Sequence, residues 1–377
     1  MGELKKCIVI PDSYKGTISA IDVCRIMKEN ILKVFPACQV KTFPVADGGE
    51  GTVDCFLYAL EAKKREVETT GPYGEPVTAY YAKIGNRAVL EMAQVDGLPQ
   101  VEGRLNPRKT TTYGLGKVIE AAIADGCTEL TIGLGGSCTN DAGLGKARAL
   151  CARFFDQEGM EFAPSSDEMT KITHMDISAV QEKLQGVEIT AMCDITNPMY
   201  GENGAAYVFA PQKGADAECV ELLDQNLRAL SEIIKKDLKA DVSELPGAGA
   251  AGALGAGVVA FLGGELKSGI HTVLELIGFD EALDDAQLIF TGEGRVDSQS
   301  MQGKVISGVT ERANKKGVPV IVVAGACEED AAELYQHGVY GVFSSCRKAE
   351  DFSVQKKWAK ENLTSTMEAI LRMYSIV

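Results

Sequence analysis

Six short clusters of acids, bases and hydroxyls, set among glycines, punctuate this chain where apolar runs end. Pro11-Asp12-Ser13-Tyr14-Lys15-Gly16 puts a carboxylate, a hydroxyl and an ammonium in one loop, a set suited to a phosphate or metal-phosphate group. Ala46-Asp47-Gly48-Gly49-Glu50-Gly51-Thr52 sets two carboxylates among glycines at a helix start, where they could hold magnesium, orient a hydroxyl, or simply cap the helix. Gly135-Gly136-Ser137-Cys138-Thr139-Asn140-Asp141 joins a strand to a helix, a turn whose N–H groups and hydroxyls could cradle phosphate oxygens. Asp194 ends another apolar run, just before Asn197, and Pro211-Gln212-Lys213-Gly214 offers a lysine in a tight turn. Thr291-Gly292-Glu293-Gly294-Arg295-Val296-Asp297 supplies two acids and an arginine, and Gly303-Lys304 opens the next helix. Each cluster alone is equally an ordinary polar turn or salt-bridged loop. Together they provide what phosphoryl transfer needs: bases and N–H groups for phosphate, acids for magnesium, and one carboxylate to orient the attacking hydroxyl.

Other chemistries fit less well. No G-x-x-x-x-G-K-[ST] loop occurs, which argues against the P-loop class. A G-x-G-x-x-G match at Gly247, Gly249 and Gly252 follows Ser243-Glu244-Leu245-Pro246 rather than a strand, which argues against a nicotinamide enzyme. Those glycines suit close helix packing or a helix start facing an anion. His174, His271 and His337 stand apart in what read as surface turns, with no nucleophile or metal partner in the pattern. A net charge of −15 disfavours nucleic acid and anionic membranes as partners. Eleven scattered cysteines without a C-x-x-C pair suit buried thiols in a reducing cytoplasm. Met1–Lys6 is polar and leads straight into an apolar run, without the apolar core of a signal peptide. The uncharged stretch 247–264 is dominated by glycine and alanine, too weakly apolar for a membrane span, and reads as a tightly packed buried helix.

The elements that must position these clusters follow from periodicity. Cys7–Ile10 and Val40–Val45 read as strands, with a helix capped by Ser19 between them and another from about Gly51 to Leu60. Between Arg65 and Val95 the period is that of antiparallel strands, turning at Gly71-Pro72-Tyr73-Gly74. A helix from Tyr113, a strand over Leu130–Leu134 and a further helix follow. After Leu283 strand and helix alternate again, with strands over Gln287–Thr291, Val318–Ala324 and Gly338–Ser344 and helices over Gly303–Lys316 and Glu328–Gln336. At 377 residues and 45% hydrophobic content, two domains are expected. The expected fold class is α/β: residues 1–65 and 283–377 share one doubly wound parallel sheet, and 66–282 form an inserted second α/β domain of mixed sheet.

Taken together, the motifs resemble those of the type 1 glycerate kinase family: PDSYKG at 11–16, VADGGEGT at 45–52, TTYGLG at 111–116, GLGGSCTND at 133–141, CDITNP at 193–198, NGAAYVFAPQKGA at 203–215, PGAGAAGALGAG at 246–257 and TGEGRVD at 291–297. They run in family order from about residue 6 to 325. The resemblance implies a discontinuous Rossmann-like domain paired with a distinct α/β domain. It also implies ATP-dependent phosphorylation of glycerate with Mg2+ in the cytoplasm, giving 2-phosphoglycerate in preference to 3-phosphoglycerate, at a cleft between the domains. On that reading the partners are ATP and glycerate, and a homodimer is compatible with it. Lys15, Arg295 and Lys213 are candidates for the substrate carboxylate, and Asp47 or Asp194 for orienting the acceptor hydroxyl. Glu293 and Asp297 are candidates for the metal. Asp12, Ser13, Gly48, Gly49, Glu50, Gly135, Gly136, Ser137, Thr139, Asn140, Asn197, Gly249, Gly252 and Lys304 are candidates for binding substrate or nucleotide. Cys138 and Ala142 stand where the family usually has alanine and glycine, and Lys146 and Arg148 where uncharged residues are commoner; His271 and Gln302 are also unusual. A kinase for another small hydroxy acid, or a non-catalytic sensor of sugar acids or nucleotides on the same fold, are the alternatives.

Overall fold

The computed structural model describes residues 3–46, 48–301 and 304–375. Asp47, Gln302 and Gly303, singled out above, lie outside the described residues. The chain divides into two compact units: one takes the described residues up to 46, 54–61 and 269–375, the other 48–53 and 62–268.

In the first unit, five strands pair in parallel in the order Val339–Ser344, Val320–Ala324, Leu288–Thr291, Lys6–Val9, Gln39–Thr42. The three central strands are nearly continuous aliphatic runs, as a sheet covered on both faces requires. Ser19 starts the first helix, Ala20–Val34, by accepting the Asp22 N–H at 3.2 Å. Its Val23, Met27 and Ile31 are buried with Leu363, Met367 and Leu371 of the helix Ala359–Tyr374. From the central pair the chain moves outward both ways. Lys6–Val9 leads to Gln39–Thr42 on one side, and Leu288–Thr291 leads to Val320–Ala324 and Val339–Ser344 on the other. Such a reversal of strand order opens a crevice outside the carboxyl ends of the two strands, where open α/β sheets bind ligands.

The second unit is built on a six-stranded mixed sheet, ordered Glu265–Lys267, Glu188–Met192, Glu129–Gly133, Arg87–Glu91, Pro76–Ile84, Lys63–Thr70. The last three strands pair antiparallel, the first four parallel. One core cluster gathers Leu90, Ile132, Leu115, Ile119, Leu227 and Phe261 around it. A small antiparallel sheet of Glu161–Phe162, Arg153–Phe155 and His174–Asp176 completes the unit.

Three expectations need correction. The helix expected over Glu328–Gln336 is a 3-10 helix, Glu329–His337, whose buried Ala331 and Leu334 lie three apart, the spacing of a three-residue turn. His174 and His271 are not in turns: His174 begins a strand with Nδ1 2.9 Å from Asp237, and His271 lies in the helix Gly269–Leu276. The glycine-alanine stretch does form a buried helix, Ala250–Leu262, but Ala251, Gly252 and Ala253 at its start are left-handed, with φ of 56°, 70° and 65°. Among the described residues no helix is long and apolar enough to cross a membrane. All eleven cysteines are free thiols, and seven of them are buried.

At the crevice, a Cβ on Gly292 would strike the Val323 carbonyl of the neighbouring strand. Gly292→Ala is expected to cost about 3 kcal/mol of stability, since backbone cannot yield as a side chain does; urea denaturation measures it.

Candidate functional site

In the first unit the crevice is walled by two loops that touch through backbone. The Asp12 N–H donates to the Gly292 carbonyl at 2.8 Å, and the Thr291 hydroxyl to the Ile10 carbonyl at 2.7 Å. Buried Tyr14 donates its hydroxyl to the Val323 carbonyl, pinning the first loop across the sheet. A Cβ on Gly294 would lie 3.1 Å from the Lys15 nitrogen. These contacts set half-buried Asp12 and Ser13 and exposed Lys15 beside the loop of Glu293 and Asp297. Glu293 is buried and accepts the Ser300 hydroxyl, which in turn accepts the Asp297 N–H at 3.2 Å. One carboxylate oxygen of Asp297, Oδ1, is sealed from water without a hydrogen bond. Arg295, by contrast, turns outward to Glu328, at 2.8 Å. Lys304 immediately precedes the helix Val305–Lys316 and makes no capping hydrogen bond with its side chain.

In the second unit the polar turns gather at the carboxyl ends of the parallel strands. Gly48 and Gly49 lie against the glycines that follow Glu129–Gly133: the Gly135 N–H donates to the Gly48 carbonyl at 3.0 Å, and a Cβ on Gly133 would strike that same carbonyl. Glycine is needed here for backbone to meet backbone. Glu91, buried at the end of its strand, accepts the N–H groups of Gly51 at 3.0 Å and Val53 at 3.1 Å. It thereby caps the helix Thr52–Ala59 and occupies donors that an anion would otherwise use. Glu50 is exposed.

The Ser137–Asp141 turn is the most heavily bonded of the set. Buried Asp141 accepts the Thr112 N–H at 2.8 Å, the Thr112 hydroxyl at 2.9 Å, the Gly145 N–H at 3.1 Å and the Gly143 N–H at 3.0 Å. Cys138 donates its N–H to the Asp96 carbonyl at 2.9 Å, and buried Lys213 donates to the Thr139 carbonyl at 2.6 Å. Ser137 and Thr139 share their hydroxyls at 3.1 Å. Gly136 is exposed, and the Asn140 side chain is sealed without a partner. Gly252 lies against the turn, with its Cβ position 2.5 Å from the Asn140 Cα, while Gly249 packs on the Pro198 carbonyl. Both glycines are therefore explained by protein contacts. Exposed Asp194 accepts the Ser268 hydroxyl at 2.8 Å, and Asn197 donates to the Asn203 carbonyl at 2.8 Å.

Burial sets the electrostatics of this turn. It pulls Lys146, opposed by the charge of Asp141, from the usual 10.5 down to about 7. It pulls Lys213 down to about 8, opposed by Cys138 and Asp141. Asp96 goes the other way: burial first, then the charge of Asp141, pushes its carboxyl well above the usual carboxylate range. Neither Glu91, Asp96 nor Asp141 was a candidate from sequence. A signal was present in each case, since Glu91 interrupts the largely apolar run 88–95, Asp96 ends it, and Asp141 sits inside the glycine-rich turn.

Comparison with known proteins agrees with this architecture. Residues 7–375 match the glycerate kinase family. Over 342 residues the chain is 43% identical to the glycerate 2-kinase of Escherichia coli (strain K12) and 41% identical to the glycerate kinase of Bacillus subtilis (strain 168), covering 90% of each chain in both cases. The crystal structure of a glycerate kinase 2 from Salmonella typhimurium LT2 superposes with a TM-score of 0.88 at 38% identity, covering 99% of both chains. The fold and the family match together define a kinase, an enzyme that transfers a phosphoryl group. More narrowly, the chain belongs to the glycerate kinase family.

Asp141→Asn, which sets an amide against backbone donors, is expected to lower stability by about 3 kcal/mol in chemical denaturation. Lys146 gives a pH signature. Between about pH 7 and 10.5 the unfolded chain holds a proton that the folded chain has released, so stability rises with pH through that window. Lys146→Met should therefore raise Tm by several degrees near pH ~6 and much less near pH ~10, as calorimetry would show.

Proposed function

We propose that the protein transfers the γ-phosphoryl group of ATP to a hydroxyl of D-glycerate, giving 2-phosphoglycerate in preference to 3-phosphoglycerate. The observation that carries this reading is the crevice at the reversal of strand order. There two adjacent loops hold a lysine and three carboxylates in one place. Phosphoryl transfer asks the protein chiefly for position and charge, and that mixed set supplies both.

Glu293 and Asp297 fit a magnesium site. One is buried and held by Ser300, the other keeps a sealed oxygen without a hydrogen-bond donor, and two carboxylates with waters and phosphate oxygens suit this ion. Magnesium bound there would neutralise the charge on the β- and γ-phosphates. Lys15, exposed in the first loop, is placed to meet phosphate oxygens. Buried Lys213, with Ser137, Thr139 and Asn140 of the turn it braces, offers donors to an anionic acceptor. Asp47 or Asp194 orients the acceptor hydroxyl.

Incubation with magnesium, ATP and D-glycerate, followed by phosphorus NMR, should show ADP and a phosphoester coupled to the proton on carbon 2. Absence of ADP formation with glycerate would sink the reading, and coupling to carbon 3 would correct the product. Asp297→Asn should raise the magnesium needed for half-maximal rate by about tenfold or more. Asp47→Asn and Asp194→Asn should separate the two candidate acids: the variant that loses turnover marks the orienting group, and near-normal rates in both exclude the pair.

A further inference from the structure

Beneath the Ser137–Asp141 turn, five polar side-chain atoms are sealed from water without a hydrogen bond: both carboxylate oxygens of Asp96, both ends of the Asn140 amide, and the ammonium nitrogen of Lys146. All three residues are 0% exposed. Buried polar groups are almost always paired, and a buried charge forfeits most when it is not. Three such side chains around one turn call for a ligand that would complete them.

Backbone bonds tie all three residues to the same turn. Asp96 is tied to the turn through its carbonyl, which accepts the Cys138 N–H, and Asn140 is part of the turn. The Lys146 N–H donates at 3.0 Å to the same Thr112 hydroxyl that donates to Asp141. Their chemistry is complementary to one class of ligand. An ammonium and an amide N–H suit a carboxylate, while the Asp96 oxygens and the amide oxygen suit hydroxyl groups. We propose that Asp96, Asn140 and Lys146 form the recognition subsite for the acceptor, a small hydroxycarboxylate. Its carboxylate pairs with Lys146 and the Asn140 amide, and its non-reacting hydroxyl is held by Asp96. This deepens the glycerate reading and rests on it.

The cover of this subsite is the left-handed segment Ala251–Gly252–Ala253. The Ser137 hydroxyl donates to the Ala251 carbonyl at 3.4 Å, and the Ala142 N–H to the Gly252 carbonyl at 3.0 Å. Ala142, Ala251 and Ala253 all carry positive φ, a conformation disfavoured for alanine.

The test compares initial rates with glycerate and with glycerol, which lacks the carboxylate, for the wild-type enzyme, Lys146→Met, Lys146→Arg and Asn140→Ala. In Lys146→Met the KM for glycerate is expected to rise about 30-fold while the KM for ATP stays within about twofold, and Lys146→Arg should recover part of the loss. The preference for glycerate over glycerol should fall by about the same factor in Lys146→Met and Asn140→Ala. Replacing a buried charge by an apolar side chain of similar length keeps Lys146→Met folded, and a thermal melt verifies it. An active wild-type enzyme whose variants keep both KM values and the substrate preference overturns the subsite alone. A wild-type enzyme that does not turn over glycerate overturns the functional reading, and the subsite falls with it.

Discussion

The second unit turns on one carboxylate. Asp141 takes four hydrogen bonds at 2.8–3.1 Å from Thr112, Gly143 and Gly145, fixing the starts of two helices around a single buried charge. A charge taken out of water is tolerated only where it is paired or fully hydrogen-bonded, and here backbone amides and one hydroxyl do that work. The polar groups nearby, shifted first by burial, also feel that charge. Lys146 and Lys213 are partly compensated by it, and Asp96 is driven further toward its neutral form.

The first unit solves a related problem without a hub. Its two loops are fixed by strand pairing and by backbone contacts at glycine, with Tyr14 as a buried pin. Asp12 and Ser13 are thereby held half-buried beside the loop of buried Glu293, with Lys15 exposed. Arg295 shows the limit of reading charge by proximity in sequence. It lies within two residues of Glu293 and of Asp297, yet the alternation of side chains along a short strand turns it to Glu328 on the surface.

Several features were legible beforehand. Apolar runs located most strands of the parallel sheet to within a residue or two, although the one expected over Val40–Val45 ends at Thr42 and the short strands at 153–155, 161–162, 174–176 and 265–267 were not foreseen; Ser19 announced the first helix, and the antiparallel character of 65–92 showed in its alternation. What misled was local pattern taken without its surroundings. The acid-rich stretch 328–336 carries helix-forming residues, yet only two side chains three apart are buried, and the tighter 3-10 form results. The glycines of the PGAGAAGALGAG run read as suited to close packing or to facing an anion, and Gly249 and Gly252, like Gly48, do lie close against protein backbone.

By itself, the sequence determined the α/β class, the order of the main elements and the family. Each depends on residue type and on spacings of two to four residues, so each is written locally. Only the tertiary structure decided which polar groups lose water. The partners are 29 residues apart for Asp141 and Thr112 and 38 for Glu91 and Val53, and no short-range pattern encodes those distances. Burial is a property of the packed whole, and with it come the lowered ammonium of Lys146, the neutral tendency of Asp96 and the sealed amide of Asn140.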